Sequence, residues 1–204
     1  MKKTMILLYL ALVSWGASAQ TDHTKMNSSK ADMPAMHTNT SAGMKDKPTT
    51  LPSIKVEHSL SVTAIIDNYL ALKDALVEGN GKKASSSGKM LLDALEKFDL
   101  SSQGASKQLE LKDILDDAKE NAEHISENGG KMEHQREHFE ILGSDIKDLI
   151  IITGSDRTLY QIYCPMYNNK KGGKWLSESI EIKNPFFGSK MLKCGNVQQE
   201  ITVK

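Results

Sequence analysis

A three-and-four spacing of apolar residues persists from Val62 to Ile152 and then stops, and nothing else in the sequence constrains the fold as strongly. Such spacing lays one apolar stripe along a helix and leaves the other faces to water. Val62, Ile65, Ile66, Tyr69, Leu72 and Leu76 form the first stripe, with Ser59 or Ser61 as its cap and Gly79-Asn80-Gly81 as its end. Ala84, Gly88, Leu91, Leu95 and Phe98 form a second, closing near Asp99, and Ser101-Ser102-Gln103-Gly104 reads as a turn. The third carries Leu111, Ile114, Leu115, Ala118, Ala122 and Ile125, and Asn128-Gly129-Gly130 stops it with good C-terminal capping chemistry. A fourth runs from about Met132 to Ile152, with Phe139, Leu142, Ile146 and Leu149 inward, and ends at Gly154. Four one-sided helices joined by short loops predict a mostly α fold, an antiparallel up-down-up-down bundle.

Beyond Gly154 the pattern changes. Thr158–Tyr163 is rich in β-branched and aromatic residues and reads as a strand leading into Cys164. Asn168–Gly173 is a polar loop, Lys174-Trp175-Leu176 and Ser179-Ile180-Glu181-Ile182 are expected as further short strands, and Asn184–Gly188 as a turn. The expectation is a small, irregular, β-containing C-terminal cap on one end of the bundle, within a single domain over residues 54–204.

The start of the chain has a different character. Lys2-Lys3, an apolar run from Met5 to Val13 and Ala17-Ser18-Ala19 read as a signal peptide over residues 1–19, cleaved after Ala19. Export to an oxidising compartment, most simply a periplasm, follows. Residues 20–53 hold few large aliphatics and many Thr, Ser, Lys, Asp and Pro, a composition that cannot bury enough apolar surface to offset ordering, so disorder is expected. Yet this tail holds His23, Met26, Met33, Met36, His37 and Met44, three of them within Met33-Pro34-Ala35-Met36-His37. Apolar packing does not account for methionines in such a segment. Thioether and neutral imidazole suit Cu(I) or Ag(I).

Charge gives little direction. The 26 basic and 26 acidic residues cancel, and loss of Lys2 and Lys3 leaves 24 against 26. Without a basic run there is no support for nucleic-acid binding. No later apolar stretch is long enough to cross a membrane, so no stable insertion is expected after signal cleavage.

Both cysteines lie late, in Tyr163-Cys164-Pro165-Met166 and Met191-Leu192-Lys193-Cys194-Gly195, each with a methionine within three residues. Thiolate and thioether are soft ligands that select monovalent copper. The plain alternative is a Cys164–Cys194 disulfide closing a thirty-odd-residue loop, worth about 3–4 kcal/mol by chain entropy. His134 and His138, four apart, share a face of the fourth helix. His124 precedes the Gly129-Gly130 turn by about as much as His134 follows it, which predicts all three at one end of the bundle. An ordinary solvated face explains Glu133–His138 equally well. The pair is no protease HExxH, because Gln135 supplies no general base. No Ser-His-Asp pattern, P-loop or GxGxxG occurs, and an enzyme is not expected.

From Tyr69 onward the chain resembles a periplasmic domain family of unknown function, found alone in many Bacteroidetes-type proteins and appended to adaptor subunits of resistance-nodulation-division copper/silver efflux pumps. The resemblance is carried by Tyr69–Leu76, His134–Phe139, Tyr163–Met166, Trp175-Leu176-Ser177 and Asn184–Gly195. It implies a metal-handling, copper-linked domain without catalysis. Tyr163–Met166 also resembles the short heavy-metal motif Y-x-C-P-M-H-P, but Tyr163 directly precedes Cys164 and Tyr167 stands where His-Pro would follow. The resemblance implies Cys164 and Met166 as ligands, with His134 or His138 replacing the missing histidine.

The reading that joins these features is a periplasmic copper-binding protein, a chaperone or buffer in copper resistance. Its expected site is His134, His138, Cys164, Met166, Met191 and Cys194, with His124, His23, Met26, Met33, Met36, His37 and Met44 as accessory ligands. Copper is expected as Cu(I), with zinc less suited because zinc sites rarely recruit methionine. A copper efflux adaptor or another periplasmic copper protein is the expected partner. The alternative is a non-catalytic interaction module stapled by the disulfide.

Overall fold

The structure, a computed structural model, describes residues 51–204; the expected signal peptide and the Met/His tail up to residue 50 lie outside the described residues. The chain is mostly helical, with a small four-stranded sheet. Its elements run β1 (Ser53–Val56), α1 (Thr63–Val77), α2 (Gly81–Glu96), α3 (Ala105–Glu127), α4 (Met132–Thr153), β2 (Leu159–Cys164), β3 (Gly173–Ser177) and β4 (Asn196–Val203). Among the described residues no helix is long and apolar enough to cross a membrane.

The apolar stripes become one core. Ile65, Tyr69, Leu72 and Leu76 of α1, Leu91 and Leu95 of α2, Leu111 and Ile125 of α3, and Phe139, Leu142 and Ile146 of α4 are all essentially inaccessible to water. Burying each such side chain contributes roughly 1.5–3 kcal/mol, so the helices hold together by their stripes. Contacts join α1 to α2, α2 to α3 and α3 to α4, with a smaller set between α1 and α4. Three boundaries differ from expectation. Neither Ser59 nor Ser61 caps α1; the two hydroxyls bond each other at 2.8 Å, while the Thr63 hydroxyl donates to Asp156 at 2.9 Å. Gly81 opens α2 instead of closing α1, because the Asn80 side chain accepts the Lys83 amide at 3.0 Å. And α2 ends at Glu96, short of Phe98 and Asp99.

The sheet is built from both ends of the described chain, in the order β1-β4-β2-β3. β1 runs parallel to β4, which is antiparallel to β2, as β2 is to β3. The cap is therefore not purely C-terminal, and the local sequence pattern anticipates neither β1 nor β4. Ser179–Ile182 is not a strand. The hydroxyls of Ser177 and Ser179 accept the amides of Ser179 and Glu181 at 3.1 Å each, giving the backbone a local alternative to a ladder. Ile180 is accordingly exposed.

β3 lies against α4 through one close approach. A Cβ on Gly143 would stand 3.2 Å from the Tyr69 hydroxyl and 3.4 Å from the Lys174 carbonyl oxygen. Through that gap the Leu176 amide donates to the Tyr69 hydroxyl at 3.1 Å, tying α1 to the sheet. Gly154 ends α4 at φ 94°, where the Glu57 carbonyl oxygen leaves no room for a side chain.

Candidate metal centre

Three of the six histidines meet where α3 ends and α4 begins. The turn between them is tightly organised: the Asn128 amide side chain donates to the His124 carbonyl at 2.7 Å, and the Lys131 amide donates to the Asn128 carbonyl at 2.9 Å. Gln135, fully buried, donates to the Ile125 carbonyl at 3.0 Å and the Gly81 carbonyl at 3.1 Å. It thereby pins the first turn of α4 to the last turn of α3 and the start of α2. His134 and His138, one and three positions from that pin, are held towards His124.

The rings are in contact. His124 and His138 stack with centroids 4.4 Å apart, and His134 meets His138 edge-on at 4.6 Å. One ring nitrogen from each of His124, His134 and His138 lies within 4.8 Å of the others. Nitrogens sharing one ion at about 2.0–2.1 Å stand roughly 3.4 Å apart in tetrahedral geometry. The required closure is small for half-exposed side chains: 44% of the His124 side chain and 38% of that of His134 are open to solvent.

The electrostatics favour neutral ligands. Burial, and then the neighbouring His124 and His134, hold the His138 imidazole below its ordinary range. Its Nδ1 lies 2.9 Å from the Asn121 Oδ1. Glu120 stands 3.9 Å from the Nε2 of His124, and Glu137 lies 3.6 Å from the Nδ1 of His134. Both carboxylates are outside hydrogen-bond distance, so they lend negative charge without occupying a nitrogen. Three imidazoles with one side open to water form a set that nitrogen-preferring transition metals accept.

The sulfur residues form a second, separate cluster. The ligand group around the histidines contains neither cysteine. Cys164 ends β2, opposite Gly173 of β3, and its sulfur faces that of Cys194 at 2.7 Å. Burial first, then the hydrogen bond and charge of Cys164, push the Cys194 thiol up, against a lowering by the Met166 amide. Buried Asn184 fixes the loop, donating to the Cys194 carbonyl at 2.7 Å while its Oδ1 accepts the Phe186 amide at 2.8 Å. Met166 and Met191 are exposed, and Met166 lines a groove of about 800 Å³ along α4 with Glu133, Glu137 and Tyr167. The expected composite of His134, His138, Cys164 and Met166 thus separates into an imidazole cluster and a thiol pair. His23, Met26, Met33, Met36, His37 and Met44 lie outside the described residues.

Sequence reasoning passed over Asn121 and Gln135. Asn121 carried a signal, a polar residue inside the stripe of Ala118, Ala122 and Ile125. Behind Asn121 lies Asp145, whose carboxyl is pushed up to about 6 by burial and then by Asp117 and Asp148. A carboxyl raised in the fold favours folding fully below its ordinary pKa, and that contribution is lost as pH rises through about 6. The group is half exposed, so screening cuts the effect to about 1 kcal/mol. Asp145→Asn is expected to raise stability by that amount at pH 8 and to change nothing at pH 3.5, read from urea midpoints at the two pH values.

Residues 65–158 match a family described as a protein of unknown function (DUF3347). That span runs from within α1 to the residue before β2 and holds Asn121, His124, His134 and His138. Both cysteines and the Asn184–Gly195 stretch fall outside it. No curated protein and no solved structure matches the chain.

Proposed function

We propose that the protein is a non-catalytic copper-binding protein of the periplasm, holding the ion between His124, His134 and His138. The observation that carries this reading is the convergence of three ring nitrogens within 4.8 Å on two helices. Divalent copper stands highest in the first-row affinity order for nitrogen sites, above zinc, so an all-imidazole set favours copper. The Cu(I) preference read from the sequence belonged to sulfur ligands and passes to the Met/His tail. The open side of the centre leaves a coordination position at which a partner's ligand exchanges the ion, as a chaperone or buffer requires. A copper efflux adaptor is the partner proposed from the resemblance. We further infer that the four helices form an antiparallel bundle, since consecutive helices touch, the connections are short and α1 reaches α4.

The two facing sulfurs favour a second role for Cys164 and Cys194, a staple between β2 and the loop before β4. The test is copper titration of the full chain with a competing chelator, alongside Cys164→Ser/Cys194→Ser. The double variant is expected to keep the wild-type domain equivalent. Loss of that equivalent would return the cysteines to the ligand set and overturn the all-imidazole site. Stronger binding of zinc than of copper would overturn the choice of metal.

A further inference from the structure

Asn121 is 8% exposed, in a place where an unbonded amide is costly. Its Nδ2 donates to the Asp117 carbonyl at 2.9 Å and faces the Asp145 carboxylate at 3.5 Å. With Nδ2 committed to two acceptors, the atom turned to His138 at 2.9 Å is the oxygen. An oxygen there only accepts, so the His138 proton sits on Nδ1 and the lone pair on Nε2 is left free.

We propose that Asn121 is a positioning residue of the centre, holding the His138 ring in the orientation and tautomer that present Nε2 to the metal. The arrangement parallels the pairing in which a ligating histidine donates its other N–H to a carboxylate, with an amide inserted between ring and acid. Asp145 from α4 supplies the negative charge, and the groups facing it, Asp117 of α3 and Asp148 of α4, are acids as well. A string of donor and acceptor polarised from one end binds its members more tightly than isolated bonds do. Gln135 sets where the helices meet; Asn121 sets how one ring is turned.

The inference rests on the copper reading for its metal, but the tautomer belongs to the metal-free protein and is read without it. Long-range proton–nitrogen correlation spectra of the metal-free full chain are expected to show His138 protonated at Nδ1. In Asn121→Leu, close in volume and unable to accept, that preference is expected to vanish and copper affinity to fall about 10- to 100-fold. Asn121→Gln, which keeps an amide oxygen for the ring and an amide donor for the acids, is expected to restore part of both, separating positioning from mere packing. A leucine variant that keeps the Nδ1 proton and wild-type affinity overturns the proposal, as does a wild type protonated at Nε2. If the tautomer responds as expected while the wild type takes up no copper, the copper reading fails and the hold of Asn121 on the ring stands.

Discussion

His138→Ala is expected to weaken copper at the helical centre by roughly 100-fold or more, beyond the 10- to 100-fold typical of changes to groups that only support a ligand. His138 is the middle member of the group, stacked on His124 at 4.4 Å and edge-on to His134 at 4.6 Å, whereas His124 and His134 are 6.2 Å apart. Removing it leaves two imidazoles, too few protein ligands to hold an ion tightly, and takes away the ring that both of the others touch. His124→Ala and His134→Ala each keep one close pair and are expected to lose less. The measurement is competition titration of the three single variants, with far-ultraviolet circular dichroism to show that each folds. The ring of His138 makes its one side-chain hydrogen bond to Asn121, so its removal leaves a buried amide oxygen unpaired and costs some stability. That cost moves the melting temperature, not the number of equivalents bound. Three variants with wild-type affinity would leave copper to the tail alone, and the helical centre would be withdrawn.

The helices were legible because one-sided burial leaves a periodic trace, and the stripes from Ile65 to Leu149 are buried except for Phe98 and Ile114, which are partly buried. The shared end of His124, His134 and His138 was legible for the same reason: a two-glycine turn makes neighbours of the residues flanking it. What escaped was non-local. β1 is four residues, Ser-Ile-Lys-Val, with only Val56 fully buried, and it becomes a strand because β4 lies beside it in parallel, more than 140 residues later. No local pattern carries such a pairing. Gln135 looked like part of a solvated face because its neighbours Glu133 and Glu137 are exposed, yet its amide is buried against two carbonyls supplied by other helices. The separation of thiols from imidazoles was equally hidden. Soft ligands and histidines in one sequence say which metals are welcome, while the side of α4 on which each falls depends on tertiary packing.

Phe139→Ala is expected to destabilise the protein by about 3–5 kcal/mol, a drop of roughly 10–15 °C in melting temperature for a domain of this size. Phe139 is fully buried one residue after His138, and its ring stacks on Tyr69 of α1 at 5.1 Å and lies 6.1 Å from Phe186 in the cap. Truncation removes the apolar surface and also opens a void that helices tied elsewhere by Gln135 and Tyr69 cannot close. Phe139→Leu fills most of that volume and is expected to lose only about 1–2 kcal/mol. Urea unfolding followed by circular dichroism ranks the two, and a loss under 1 kcal/mol for alanine would mean that α4 is not seated on Tyr69 and Phe186. The same variants separate scaffold from ligand. Phe139 faces the core while its neighbour faces α3, so at a temperature where Phe139→Ala stays folded its copper affinity should remain within a few-fold of wild type. A variant that melts early but binds normally, set beside His138→Ala, which loses less stability and binds poorly, would divide one turn of α4 into a structural side and a metal-holding side.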